Sequence, residues 1–379
     1  MADPRIRLSE PTVGEEEAQA VARAVRDGHL VFGPDLPGFE AALAQAVGAT
    51  DALAVSTGTA ALHLALLVAG VERGDEVWIS DLTFIATANA VSYCGAQIVL
   101  VDSEAESWNL DPQAVADEIT RRARAGLPMP KAIVPVHLLG HPANLEPILP
   151  LLAEHNIRIV EDAAEALGSH WVGGVLDGQV PGTVGDLGIY SFNFNKPIST
   201  GGGGMVVARN PDDLVRARHL GSQAKIANLD YRHDEVGYNY RMSNVAAALG
   251  VIQMQRIDGL IERRRAIACR YRDALVDLGL SGGPDLPWAR RSGWLSTAVF
   301  ADDGTRGAVR DALDAKQIEA RPIWPPMRIQ APYAGCDVLG GDTAMDIASR
   351  VLSLPCSAHM TESHQDEVID TIRTVVRRG

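Results

Sequence analysis

Residues Gly185 to Val207 read GDLGIYSFNFNKPISTGGGGMVV. Leu187 to Phe192 is an apolar run carrying β-branched and aromatic residues, the composition of a buried strand. It enters a polar turn with one lysine, Lys196, followed by four glycines, Gly201 to Gly204. A second apolar run, Met205 to Ala208, makes this a pair of strands around a tight crossing. Lysine is mostly exposed in folded proteins, so Lys196 is either a solvated loop residue or an amine held at the mouth of a site. The rest of the chain has to decide between the two.

Upstream, a helix is expected over 12–28 and another over Pro37–Val47. Strands then alternate with helices: strand Ala52–Ser56, helix Ala60–Val68, strand Glu76–Ile79, helix Ala86–Tyr93, strand Gln97–Val101, helix Pro112–Ala125. Strand Ala132–Val136, helix Leu145–His155 and strand Ile157–Val160 continue the pattern. Such alternation specifies an α/β sheet, largely parallel, with helices on both faces. Ligands of these sheets sit beyond the carboxyl ends of the strands. Ser56, Asp81 to Phe84, Asp102, His137, Glu161, Asp162 and the Ser191–Lys196 turn are therefore expected along one edge. Tyr231 to Ile257 reads as a polar loop and a helix, and a long helix leaves the first unit from about Arg263. Beyond it lie an expected strand at Trp294–Phe300, a helix at Thr305–Lys316, a Pro-rich stretch at Arg321–Pro332 and a helix after Thr361. These give a large unit over 1–260 and a smaller α+β unit over 261–379.

The 379 residues are 46% hydrophobic and 22% charged, an ordinary globular composition. No window reaches the roughly 18 unbroken apolar residues of a membrane span. The first residues, MADPRIRLSEPTVGEEE, lack the apolar centre of a secretory signal. Cys94, Cys269, Cys336 and Cys356 are widely spaced with no Cys-x-x-Cys pair, which argues against a disulfide framework and a zinc site. The expected compartment is a reducing cytoplasm. A formal charge of −14 disfavours nucleic acid as a partner. An anionic small molecule would need a local cationic cluster. The run Arg256–Arg272 is one candidate, set against its simpler reading as a solvated helix face.

Ser56-Thr57-Gly58-Thr59 ends a strand and opens a helix, where free backbone N–H groups and the helix dipole bind phosphate; a plain N-cap reads the same way. Asp162, in IRIVEDAAEALG, also ends a strand. SFNFNK with its glycine run, ALAVSTGTAALHLAL, VEDAAEALGS and GYNYRMSNVAAALG, in this order, resemble the DegT/DnrJ/EryC1/StrS family of sugar aminotransferases. These are pyridoxal-phosphate enzymes of fold type I, and the resemblance runs from about Gly33 to the C-terminus. It implies a mostly parallel seven-stranded sheet between helices, with a smaller C-terminal α+β domain.

The resemblance also implies roles. Lys196 would bond the cofactor aldehyde and then carry a proton between substrate and cofactor. Asp162 would face the pyridine nitrogen, and Glu165 the ring hydroxyl, where much of the family has glutamine. Phe84 would stack on the ring. Thr57, Gly58, Thr59, Ser191 and Asn193 would surround the cofactor, while Asn239 and Arg241 would reach the phosphate edge from a neighbouring subunit, making a homodimer with shared sites. His137, Arg321, Trp324 and Arg328 fall on the substrate side; His137 reads equally well as a structural histidine. The motifs ARPIWPPMRIQAPY and LSLPCSAHMTESHQDEVI look like the subgroup acting on 4-keto-6-deoxy nucleotide sugars. The expected reaction moves an amino group from L-glutamate to C4 of such a sugar, UDP-linked with a 2-acetamido group. A GDP-perosamine synthase is the nearest alternative. Two further rivals are an amino-acid lyase or transferase using Arg321, and a non-catalytic scaffold of the same fold. No metal site is expected.

Overall fold

The structure, a computed structural model, describes residues 4–227 and 230–377. Eight strands form its large sheet: β1 (Ala52–Val55), β2 (Glu76–Ser80), β3 (Gln97–Val101), β4 (Ala132–Val134), β5 (Arg158–Asp162), β6 (Leu187–Ser191), β7 (Gly204–Ala208) and β8 (Asp337–Leu339). Their order is β1-β7-β6-β5-β4-β2-β3-β8. Only β7 opposes its neighbours, pairing antiparallel with β6 and with β1. The other pairs are parallel. Strands such as β1 are buried at every residue, as a sheet covered on both faces requires. The sequence pointed to seven strands. The eighth, β8, is three residues long and only partly buried, so it carries no apolar run that would announce it.

Helix α1 (Glu15–Arg26) and α2 (Asp35–Val47) precede the sheet and pack on the helix Asn244–Gln255. Buried Glu17 ties α1 there, accepting from Gln253 Nε2 and from Arg256 Nη1 just past that helix, each at 2.6 Å. Helix α3 (Gly58–Val68) follows β1 and is buried throughout Ala60–Leu66, because it is apolar on all sides and lies against the sheet. Helix α4 (Ile85–Tyr93) follows β2.

The C-terminal part has a four-stranded antiparallel sheet ordered Arg321–Pro322, Val351–Leu354, Ser296–Val299, Ser281–Gly282. The helices Ile257–Val276, Asp303–Asp314 and Glu362–Val376 cover it around Tyr271, Phe300, Leu313, Leu352 and Ile369. The two parts exchange segments. β8 joins the large sheet, and the first described residues run along the C-terminal part: Arg5 N–H donates to Gln317 O (2.8 Å), Glu319 N–H to Ile6 O (2.8 Å) and Cys356 N–H to Leu8 O (2.8 Å). A boundary at 260/261 leaves each of these segments in contact across it. All four cysteines are unpaired, and no described helix is long and apolar enough to cross a membrane.

Candidate active site

The carboxyl ends of β1, β2, β5 and β6 surround a cavity of about 240 Å³. Its walls include Thr57, Gly58 and Thr59 after β1, Thr83 and Phe84 after β2, Asp162 and Glu165 from β5 onward, and Ser191, Asn193 and Lys196 from β6 onward. Trp294 and Trp324 arrive from the C-terminal part. A wider groove of about 610 Å³ lies at the other end of the strands, where Arg158 begins β5 and Asp186 precedes β6. There Arg158 pairs with Asp186 and Asp213, at the opposite end of the strands from Lys196.

Lys196 is not a solvated loop residue: it is only 9% exposed. Its Nζ lies 3.7 Å from Glu165 Oε1 and 3.7 Å above the Trp294 ring. Burial lowers its pKa, opposed by the charges of Glu165 and Asp162. Burial likewise pushes Glu165 up to about 7, against the pull of Lys196. Both shifts favour the neutral forms, as burial of an acid beside a base requires. Glu165 Oε2 accepts the Leu139 N–H at 2.7 Å. Leu139 holds a left-handed backbone (φ 55°) to aim that amide, a conformation costing about 1–3 kcal/mol that tends to sit at working sites.

Asp162 closes β5, buried, with Thr87 Oγ1 donating to it at 2.8 Å and Ala164 N–H at 3.2 Å. Burial raises its pKa more than these donors lower it. It is thus a buried carboxylate facing the cavity with two neutral donors and an unmet demand for a cation. At the opposite wall, Thr57 caps α3, its hydroxyl accepting Ala60 N–H at 3.0 Å. The Gly58 and Thr59 amides, in the first helical turn, have no intrahelical acceptor. A Cβ at Gly58 would come within 2.9 Å of Ser191 Cβ, so glycine is what lets Ser191 lie beside these amides.

Five expected site residues lie elsewhere. His137 has no exposed surface: its Nδ1 accepts Ala143 N–H (3.0 Å) and its Nε2–H donates to Glu161 Oε2 (2.9 Å). Both ring nitrogens serve the fold, and the histidine does not touch the cavity. Arg328 is also a structural residue. It donates to Asp81 (2.6 Å) and Asp102 (3.1 Å), the residues following β2 and β3, and so cannot face a diphosphate. Arg321 lies outside the cavity, in an adjoining one of about 290 Å³ with Arg7, Phe194 and Glu319. Asn239 is exposed, and Arg241 turns to Glu40 Oε1 at 3.3 Å; neither lines this chain's own cavity.

Residues 11–373 match the description DegT/DnrJ/EryC1/StrS aminotransferase family. The chain belongs to that family. Among relatives, it is 37% identical over 376 residues to EpsN of Bacillus subtilis, named as a pyridoxal phosphate-dependent aminotransferase, covering 97% of this chain and 95% of EpsN. It is 36% identical to the GDP-perosamine synthase of Caulobacter vibrioides, covering 98% and 99% of the two chains. The crystal structure of the aminotransferase TlmJ from Streptoalloteichus hindustanus superposes with a TM-score of 0.89 at 30% identity, covering 98% and 99%. This member of the DegT/DnrJ/EryC1/StrS family is therefore a fold-type I, pyridoxal-phosphate-dependent sugar transaminase.

The cavity of this family member fits that cofactor. When bound, pyridoxal phosphate supplies an aldehyde that condenses with amines and a ring that accepts electrons from a broken C–H bond. Asp162 is the carboxylate a protonated ring nitrogen would complete, the Gly58 and Thr59 amides with Ser191 suit a phosphate, and Phe84, 51% exposed, offers a face for stacking. Lys196 Nζ, its pKa lowered by burial, would be the base that takes a proton from the substrate carbon and returns it. Sequence reasoning missed Trp294 and Thr87, whose hydroxyl meets that of Thr83 and donates to Asp162. Trp294 was visible only as the start of a strand, with nothing local tying it to a lysine 98 positions upstream.

Proposed function

We propose that the chain moves an amino group from L-glutamate to C4 of a 4-keto-6-deoxy hexose carried on a nucleoside diphosphate, for glycan or polysaccharide biosynthesis in the cytoplasm. The supporting observation is that the cofactor cavity and the Arg321 cavity share Asn195 as a wall. A sugar carbonyl beside Lys196 leaves its diphosphate directed outward, where Arg321 can meet it. In a chain of net charge −14 such a cation has to be local. Arg321 is 70% exposed and held by Glu319 at 2.5 Å, so screening limits its contribution. Arg321→Ala should raise KM for the nucleotide sugar about three- to tenfold and spare the half-reaction with glutamate. Equal damage to both half-reactions would assign Arg321 to the amino donor and favour the amino-acid rival.

The carrier we favour is UDP with a 2-acetamido sugar. The similarity to a GDP-perosamine synthase supports a second reading, a GDP-linked 4-keto-6-deoxy sugar, and turnover of the two classes side by side separates them. The working unit is a homodimer whose Asn239 and Arg241 serve the neighbouring copy, in keeping with their position away from this chain's own cavity. A fully active monomer in light scattering would refute it.

A further inference from the structure

We infer that the N-terminal strap, through Ser9, and the buried guanidinium of Arg264 position Lys196 for catalysis. The inference rests on the amine chemistry of Lys196 and not on the choice of sugar.

Residues 192–203, which carry the lysine between β6 and β7, have no helix or strand of their own. A loop without a ladder is placed by whatever bonds its backbone makes to its surroundings. The carbonyl of Asn195, one residue before Lys196, accepts two of them: the Ser9 hydroxyl at 2.8 Å and the Trp294 Nε1–H at 2.7 Å. Both donors come from parts of the chain far away in sequence. Trp294 also lies beneath the amine itself, so a shift of this indole moves both the carbonyl anchor and the floor of the lysine.

Arg264 holds both donors. It is 1% exposed, and its Nη1 donates to Trp294 O (3.0 Å) and Cys356 O (3.2 Å), with both terminal nitrogens at 3.3 Å from Ser9 Oγ. These acceptors are all neutral. Among the described residues no carboxylate pairs with it, and its Nε is buried without a partner. A buried cation lacking a counter-ion is costly, and an aliphatic side chain of similar volume would fill the space without that cost. What the guanidinium adds is a rigid fork that spans three segments: the strap, the residue under the lysine, and the strand leaving the C-terminal sheet. The basic run Arg256–Arg272 therefore contains one arginine that faces inward, toward the site.

The test uses the full chain, with and without pyridoxal phosphate. Ser9→Ala removes one hydroxyl and leaves the packing intact. It should lower kcat about tenfold, with KM for the amino donor within twofold, because misplacing the amine by a fraction of an ångström weakens the proton transfer and not the binding. In the cofactor-free protein, amide hydrogen exchange over 193–200 should quicken about tenfold, while β6, β7 and the Tm stay as they were. Ser9→Thr should restore both. Arg264→Lys, which keeps the charge and loses the fork, should show the same loop-limited pattern. Unchanged kcat and unchanged loop exchange in Ser9→Ala would overturn the inference. A uniform rise in exchange across the C-terminal part with a fallen Tm would overturn it too, by reducing the network to a structural one. Arg264→Lys indistinguishable from wild type would remove Arg264 from the proposal.

Discussion

Lys196→Ala is expected to abolish turnover, lowering kcat on the order of 10⁴-fold or more, since it removes the amine that carries the proton as well as the nucleophile that meets the aldehyde. The fold should survive. A lysine whose pKa is lowered by burial contributes a cost to the folded state wherever the unfolded chain would carry the charge, so alanine relieves that cost while losing the Trp294 contact and the Glu165 pair. Tm should move by a few degrees at most. Cofactor binding should also persist, because Asp162, Ser191 and the α3 amides do not depend on the amine. The checks are steady-state turnover, thermal unfolding and retention of pyridoxal phosphate through dialysis. Near-normal turnover would place the reacting amine elsewhere.

Much of this site could be read from the sequence, and for a definite reason. Residues that end strands of a parallel sheet share one edge whatever the details of packing, so Phe84, Asp162, Ser191 and Lys196 were brought together by topology, while Thr57 followed from the phosphate-binding reading of the helix it opens. Strand ends do not, however, reveal which polar residue faces the cavity and which faces a neighbour. His137 and Glu161 both end strands, and they turn to each other beneath the site. Asp81 and Asp102 follow adjacent strands, close enough for one arginine to bridge them, and Arg328 is drawn there away from any substrate. The eighth strand was missed because three residues, one exposed and two half-buried, carry no periodicity. Ser9, Arg264 and Trp294 were missed because each acts through contacts between segments roughly 30 to 250 positions apart, and no local pattern encodes those.

The role of Asp162 leads to the other large effect. Asp162→Asn should lower kcat on the order of 10²–10³-fold, the usual consequence of removing one preorganised electrostatic partner. Asparagine keeps the size, but its single oxygen can accept only one of the two bonds that fix the carboxylate: with Oδ1 on Ala164 N–H, its Nδ2–H must donate to Thr87 Oγ1. It carries no charge to hold a proton on a ring nitrogen, so the loss should fall on kcat more than on KM. Stability of the cofactor-free protein should move in the opposite direction. Burial raises the pKa of Asp162 in the folded state, so the unfolded chain ionises first. The cost therefore appears as pH rises through the ordinary aspartate range and grows until the folded carboxyl also ionises; below that range it is absent. Asparagine does not titrate and escapes it. The variant should therefore unfold at an equal or higher temperature than the wild type at pH 7, with the difference vanishing near pH 3. Adding pyridoxal phosphate should reverse the ranking, because only the wild type offers the ring a carboxylate. A variant that keeps wild-type kcat, or that gains as much from the cofactor in thermal unfolding as the wild type does, would show that Asp162 does not face the ring nitrogen.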